Sequence, residues 1–331
     1  MALDFTPSRP GQNNGSGDPK ALFMQVYSGE VLAAFDEVNV MMGRHNVRTI
    51  KNGSSAKFPV VGKATAKYMK AGDRLTGSPI QTSQRVITID DLLVSDVMIY
   101  DLDAAMAEYD VRSQFTKQQG ASISNEFDRH VFQMGLLSAR DTAITAGFTG
   151  GGTKEITYDR TTPAKERGLA LGEAIFAAAE QMDNSDIPET SRSFYVRPSE
   201  YYALVQSLEL INNLYGGKGA VAEGEIIRVA GFEIVKTNHL PNTVVKAGTT
   251  AAGTDDKYAG DFSNTLGLAM HPQAVGTCKL LDIGTEISRS NEGQGWLTVC
   301  KMAVGHGALF TPAAIEVAAV KAAPPAKAAS K

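Results

Sequence analysis

The sequence has few of the features that mark secreted, membrane-spanning or nucleic-acid-binding proteins. Only two of its 331 residues are cysteine, Cys278 and Cys300, and their apolar surroundings predict buried thiols in a reducing compartment, not a disulfide. No stretch approaches the roughly 20 apolar residues of a membrane-spanning helix, and the N-terminal residues lack the apolar run of an export signal. A net charge of -4 argues against a chain whose main task is to hold nucleic acid. We therefore expect a protein of the cytosol.

Sequence patterns for catalysis and cofactors are also missing. The segment GFTGGGTK, residues 147–154, has threonine before lysine where a phosphate loop needs the reverse, and it follows a helix instead of a strand. Cys300 and His306 are six residues apart, which permits a thiolate pair but favours a buried cysteine on a strand. The five histidines have no metal-ligand spacing: His45, His130, His239, His271 and His306. We predict no catalytic, metal-binding or cofactor-binding residue and hence no enzyme.

The hydrophobic pattern predicts an α+β protein whose length suggests about two domains. A glycine- and proline-rich arm precedes one or two short helices that begin near residue 20. Two β-type runs, 56–69 and 83–100, indicate a long hairpin. Residues 101–140 contain no proline and have apolar residues every three or four positions, which predicts one long amphipathic helix. Helices over 165–182 and 199–210, a hairpin turning near Gly231 and four closing strands complete the pattern.

The charges along the hairpin region invert sharply. Residues 44–85 contain nine basic side chains and one acid, whereas residues 86–110 contain seven acids and no base. The basic hairpin can fold on its own acidic helix, bind phosphates, or lie on the acidic segment of a neighbouring copy. Sparse aromatic residues weaken the single-strand nucleic-acid reading. A chain with a basic hairpin and an acidic patch forms heterologous contacts, which close into rings or extend into lattices.

One further segment, MDNSDIPETSRSFYVRPSEYYALV at residues 182–205, reads as a helix end, a polar loop, a strand and a second helix. Pro198 ends the strand and presets the first turn of the helix. We expect Tyr201 and Tyr202 to begin the helix face that packs on the sheet. The segment offers no nucleophile or metal ligand, so its task is structural.

Several stretches, the first beginning near residue 22 and the last ending at residue 317, resemble the major capsid proteins of tailed bacteriophages. The resemblance is to the Hong Kong 97-type fold and within it to the short-tailed, podovirus-type phages. It is carried by FMQVYSGEVLAAF, GRHNVRTIKNGSSAKFPVVGKATAKYMKAGD, VITIDDLLVSDVMIYDLDAAMAEYDVRSQFT, LGLAMHPQAVGTCKL and MAVGHGALFTPAAIEV. Residues 182–205 are similar to the framework of the axial domain in that family.

This resemblance implies a domain plan and a contact between subunits. Residues 1–46 would be the N-terminal arm and helix, 47–86 the extended loop, 87–162 and 264–317 the peripheral domain with its spine helix, 163–263 the axial domain and 318–331 a flexible tail. The family's loop-over-neighbour contact falls on Lys57, Lys63, Lys67, Lys70 and Arg74. From charge alone, we infer Asp90, Asp91, Asp101 and Asp103 as the acidic acceptors. The candidate axial loop is Leu214, Tyr215, Gly216, Gly217 and Lys218, with residues 242–261 as the alternative.

The resemblance further implies assembly as pentamers and hexamers into an icosahedral virion shell around double-stranded DNA, built in the host cytoplasm. Expected partners are a separate scaffolding protein, a portal protein, DNA held weakly on the inner face and, as a further candidate, a decoration protein, with no membrane. No position matches the lysine and asparagine pattern of crosslinking relatives, which predicts a non-covalent shell. The alternatives are a bacterial nanocompartment (encapsulin-like) shell, a soluble α/β enzyme and a nucleic-acid-binding module.

Overall fold

The computed structural model describes residue 31 and residues 33–35, 39–64, 66–70, 72, 74, 77, 79–101, 111–143, 148, 150–158, 161–207, 219–220, 225–226, 228–246, 256–290 and 294–320. These residues fall into two compact units. One lies within residues 1–39, 93–125 and 281–302, and the other within 40–92, 126–280 and 303–331.

The helices and strands have the following bounds. In chain order they are β1 Asn46–Thr49, β2 Ser55–Val61, β3 Thr82–Thr88, β4 Leu93–Tyr100, α1 Val111–Arg140, β5 Gly152–Thr157, α2 Ala164–Asn184, β6 Ser193–Val196, α3 Pro198–Gln206, β7 Gly219–Ala220, β8 Glu225–Ile226, β9 Arg228–Val229, β10 Phe232–Lys236, β11 Val244–Val245, β12 Gly260–Asp261, β13 Thr265–Met270, β14 Val275–Ser290, β15 Gly295–Ala308 and β16 Ala314–Val320. Single 3-10 turns span Asp256–Tyr258 and Thr311–Ala313.

The long helix predicted over residues 101–140 is confirmed over Val111–Arg140. Its 30 residues extend about 45 Å at 1.5 Å per residue. Ile123, Phe127 and Val131, which have the predicted helical spacing, are fully or almost fully buried. Asp101 is helical, and residues 102–110 lie outside the described part of the chain. The apolar stripe therefore holds this helix in place, as the pattern indicates.

The predicted β-hairpin is present but shorter than expected. Strands β2 and β3 pair antiparallel from Ser55 with Thr88 to Val61 with Thr82. The second β-type run, 83–100, is wrong as a single strand, because β3 ends at Thr88 and β4 pairs antiparallel with β15. Two consecutive aspartates, Asp90 and Asp91, interrupt the apolar alternation between the two strands. These two aspartates indicate a break between two strands, which the prediction of a single hairpin did not take into account.

A six-stranded mixed sheet forms the core of the larger unit, in the order β5-β16-β13-β6-β10-β9. Every residue of the central strands β6 and β13 is buried, which is why both read as continuous apolar runs and not as alternating ones. Helix α2 contacts α3, β5 and β16. The predicted turn near Gly231 is a two-residue loop with φ of +48° at Ala230 and +82° at Gly231, between the β9 and β10 strands.

The segment 182–205 folds as predicted, with one correction. Pro198 occupies the first turn of α3, directly after β6. Tyr201 is 7% exposed and packs inward, but Tyr202 is 50% exposed. Successive helical residues point about 100° apart, so the two tyrosines do not share a face. Tyr202 instead lies edge-on to Tyr201, at 5.7 Å between ring centroids.

Candidate assembly surfaces

The five basic residues of the predicted contact lie on β2 or in the segment that joins β2 to β3. All five side chains are exposed: Lys57, Lys63, Lys67, Lys70 and Arg74. The base of the hairpin is anchored by a small apolar cluster in which Ala56 and Ile87 pack with Cys278 and Leu309. The alternation of β2 turns Ala56 inward and Lys57 outward. The sequence thus builds an anchored hairpin whose far end is basic.

Lys63 already has a partner within its own chain. Its ammonium forms an ion pair with Asp186, and the two side chains are 54% and 74% exposed. An ion pair so open to water contributes little to stability. The same ammonium lies 5.5 Å from the centroid of the Phe148 ring. Lys63 therefore helps to orient the hairpin on its own subunit, a role that its sequence position alone did not indicate.

The predicted acidic acceptors differ in exposure. The Asp90 side chain is 6% exposed and binds the Lys257 ammonium and the Tyr258 hydroxyl of its own chain. Asp91 is exposed. Asp101 is 40% exposed and its Oδ2 accepts a hydrogen bond from Arg289 Nη2 at 3.0 Å. Among the described acceptors, Asp91 and Asp101 therefore present carboxylate oxygens to solvent and Asp90 does not.

Two of the predicted site elements lie outside the described residues. They are Asp103 and the candidate axial loop, which comprises Leu214, Tyr215, Gly216, Gly217 and Lys218. Both stay predictions from the sequence.

Both cysteines are buried free thiols, as predicted. The Cys300 thiol donates to Gln119 Oε1 at 3.5 Å, and burial raises its pKa to about 11. A thiol with that pKa stays protonated at neutral pH and is a poor nucleophile. His306 uses its Nδ1 for a contact with the Thr277 hydroxyl at 2.8 Å. The alternative of a reactive thiolate at Cys300 is therefore wrong.

Sequence reasoning missed two sets of buried polar residues. Glu316, 1% exposed in the apolar strand β16, forms two hydrogen bonds with Arg140, at 2.6 Å and 2.7 Å. A lone carboxylate within AIEVAAV is a usable signal, because a buried charge needs a partner, but the partner is 176 positions away. Three of the five histidines also converge in the core. Their linear spacing gave no sign of it.

Within the described residues, no three imidazole, thiol or carboxylate groups converge in a way that would hold a metal ion. The described helices also include none with the length and apolar content needed to cross a membrane.

Comparison with known proteins gives consistent matches along nearly the whole chain. The family model described as Gp10A-like major capsid protein matches residues 57–318. The chain is 36% identical over 319 residues to the major capsid protein of Escherichia phage T7, covering 90% of this chain and 92% of that one. It is 40% identical to the capsid structure of cyanophage P-SCSP1u, with a TM-score of 0.76 over 96% of this chain and 100% of that one. The mature capsid of bacteriophage PhiM1 shares the fold at 17% identity, with a TM-score of 0.72 over 86% of this chain and 88% of that one.

Proposed function

The chain belongs to the Gp10A-like family of major capsid proteins, and we propose that it assembles as pentamers and hexamers into an icosahedral shell around a double-stranded DNA genome. Its role is structural, in the capsid shell of a podovirus-type phage. The predicted α+β fold of the Hong Kong 97 type is confirmed by the phage capsid structures that it matches. The observation that carries the function is the family match, because it spans most of the chain.

The domain plan stated above belongs to this proposal. The extended loop of residues 47–86 contains the β2–β3 hairpin, and residues 163–263 contain helices α2 and α3. In the assembled shell the basic loop of one subunit lies over the acidic segment of its neighbour. The exposure of Lys67, Lys70 and Arg74 on one side and of Asp91 and Asp101 on the other supports that pairing. A contact between unlike patches is heterologous and closes into rings.

The proposed partners are those of a shell that is filled with DNA. They are a scaffolding protein, a portal protein and packaged DNA that contacts the inner surface weakly; a decoration protein is a further candidate. Assembly takes place in the host cytoplasm, and the shell is held by non-covalent contacts without any catalytic activity of the chain. The alternative from the sequence, a bacterial nanocompartment shell that encloses protein cargo, is not favoured, because the relatives at 36% identity are phage capsid proteins.

Negative-stain electron microscopy of the full chain expressed alone, with light scattering for particle mass, tests this function. Closed shells, tubes or rings of five or six subunits are expected. A monodisperse 35.2 kDa species, even after co-expression with a scaffolding protein, would contradict the capsid role. Double-stranded DNA in particles from infected cells supports a virion, and protein cargo without DNA supports the nanocompartment. A ladder above the monomer on a denaturing gel would overturn the non-covalent shell.

A further inference from the structure

Three buried histidines meet in the larger unit. His45 precedes β1, His130 lies on α1 and His306 on β15, and their exposures are 6%, 5% and 1%. The His306 ring packs edge-on to Phe127 at 4.9 Å, and the His130 ring stacks on Tyr258 at 4.3 Å. His130 and His306 are 6.2 Å apart between ring centroids. We call His45, His130 and His306 the histidine cluster.

The Thr277 hydroxyl bridges two of these rings. Its Oγ1 lies 2.7 Å from His45 Nε2 and 2.8 Å from His306 Nδ1. The other nitrogen of His45, Nδ1, lies 2.7 Å from the carbonyl oxygen of Met41. A carbonyl only accepts, so His45 Nδ1 carries the proton and donates it. The neutral His45 Nε2 must then accept from the Thr277 hydroxyl, whose oxygen in turn accepts from His306 Nδ1–H.

This chain of hydrogen bonds is complete only while both imidazoles are neutral. Protonation of His45 turns its Nε2 into a donor, so the Thr277 oxygen would face two N–H groups and its own proton would lose its acceptor. Protonation of His306 places a charged N–H at Nε2, an atom that is buried and has no hydrogen-bond partner among the described residues. Either change leaves a buried donor unsatisfied, which is costly in an apolar core.

Charged groups of both signs surround the cluster. Burial is the main cause of the lowered pKa of both His130 and His306; Arg129 and then Lys257 lower that of His130 further, and Lys257 also contributes at His306. Asp90 already pairs with Lys257 and Tyr258. The remaining titratable groups that face the cluster are Glu126, at 3.4 Å from His130 Nε2, Asp128 on the same helix, and His239 on the loop that shares a cavity with His130.

We propose that the histidine cluster is an acid-sensitive clasp that holds residues 40–49 in the fold at neutral pH and releases them when its imidazoles take up protons. These residues are fixed at both ends of the loop before β1. Asp128 accepts from the backbone N–H groups of Val40 and Met41, at 2.8 Å and 3.1 Å. The His45 Nδ1–H donates a hydrogen bond to the carbonyl oxygen of Met41. Release of His45 therefore frees the loop and the β1 strand that follows it.

A cavity gives protons a route to the cluster. It has a volume of about 560 Å³ and is lined by Glu126, Arg129, His130 and Gln133 of α1 together with residues 238–245. His130 thus faces water-sized space on one side and His306 on the other. Of the three rings, His130 is the one that lines this cavity.

Burial supports the same direction of pH dependence. It lowers the pKa of His45 and His130 to about 4, and it lowers that of His306 well below its ordinary value of 6.5. Groups with a lowered folded-state pKa stabilise the fold above pH 6.5, and this stability is lost as the pH falls toward 4. Asp128 acts oppositely, because burial raises its pKa from 3.8 to about 6. Three histidines outweigh this one carboxylate, so acid weakens the clasp.

Hydrogen exchange measured by mass spectrometry on the full chain tests the clasp. Between about pH 7 and about pH 5, the protection of residues 40–49, corrected for intrinsic exchange, should fall by at least about tenfold. Each histidine that gains a proton on opening changes the opening equilibrium about tenfold per pH unit between its folded-state and unfolded-state pKa values. Peptides from β6 and β13 serve as internal references. His45→Gln, which cannot take up a proton, should reduce this pH dependence strongly. The comparison variant His239→Gln removes an imidazole whose pKa burial also lowers but which lies outside the cluster, and it should reduce the dependence less.

Two results would overturn the proposal. One is protection of residues 40–49 that is independent of pH; the other is an equal pH dependence in wild type, His45→Gln and His239→Gln. If His45→Gln does not fold, the wild-type chain still decides the question through the pH slope of its unfolding free energy. A slope that corresponds to net proton uptake on unfolding supports the clasp when exchange at residues 40–49 rises first. A flat slope contradicts it.

Discussion

Glu316 shows what one buried charge requires of its surroundings. Its side chain is 1% exposed, and its oxygens receive hydrogen bonds from Arg140 and from the Thr265 hydroxyl, the latter at 2.6 Å. Arg140 also donates to the carbonyl oxygen of Asp261 at 2.7 Å. The hydrogen bond to Glu316 raises the pKa of Arg140. The end of α1 is thereby tied to β13 and β16 through a single carboxylate.

Arg140→Met should lower the free energy of unfolding by about 3 kcal/mol, because it leaves the Glu316 carboxylate buried without its cation. Urea denaturation of the unassembled chain measures this. Adding Glu316→Gln to Arg140→Met should recover much of the loss. Arg129→Met is the matched control, since Arg129 is 51% exposed and its ion pair with Glu126 is open to solvent; we expect a change below about 0.5 kcal/mol. An Arg140 variant as stable as this control would contradict the pairing.

Among the helices, α1 continues through Gly120 without interruption, and the glycine serves a close contact. A Cβ atom at Gly120 would lie 2.7 Å from the carbonyl oxygen of Val31 and 2.8 Å from the Cβ of Ala34. Both neighbours belong to the helical residues that precede β1. The glycine therefore allows these helical residues to approach α1 within the smaller unit.

Gly120→Ala tests this contact, because propensity and packing predict opposite signs. Alanine would stabilise a free helix by about 1 kcal/mol, whereas crowding in a packed contact costs about 1–3 kcal/mol. We expect a net loss of about 1 kcal/mol in the free energy of unfolding, measured by urea denaturation. Ser122→Ala, at an exposed position two residues along the same helix, should leave stability equal or slightly higher. A stabilised Gly120→Ala chain would show that the contact is loose.

The helices and strands that could be predicted from the sequence are those with a long, uninterrupted hydrophobic pattern. The 30 residues of α1 repeat their apolar stripe many times, and the first closing strand, β13, is a continuous buried run. The two β-type runs led to a wrong strand pairing, because the strand with which a segment pairs is decided by the tertiary fold. β4 alternates as a hairpin strand would, yet it pairs with β15, about 200 residues later. Local periodicity identifies a strand but does not select its neighbour.

At the scale of the whole molecule, the sequence showed the charge of the hairpin region but not the contacts that its side chains make. The charge inversion is local in sequence, so it was visible without a structure. The pairing of Lys63 with Asp186, 123 positions apart, and the burial of Asp90 depend on the fold and left no local pattern. Exposed carboxylates and internal ones look alike in a sequence. The fold itself followed from resemblance to a family, not from the pattern of elements.

The proposed contact between subunits makes an electrostatic prediction about assembly. Replacing Lys67, Lys70 and Arg74 together by glutamate should prevent shell formation. The chain should still fold, because these three exposed side chains do not belong to its core. Like charges would then face Asp91 and Asp101 of the neighbour. Electron microscopy and sedimentation measure assembly, and circular dichroism with thermal melting measures folding.

A control of equal net charge separates this contact from general repulsion. It carries glutamate at three exposed basic positions outside the hairpin, namely Lys117, Lys165 and Arg228. Each triple changes the net charge from -4 to -10, since three bases become three acids. Assembly by the control but not by the hairpin triple supports the pairing, and high salt should partly restore the hairpin triple by screening the repulsion. Normal shells from the hairpin triple would refute it, and failure of both triples would assign the effect to net charge alone.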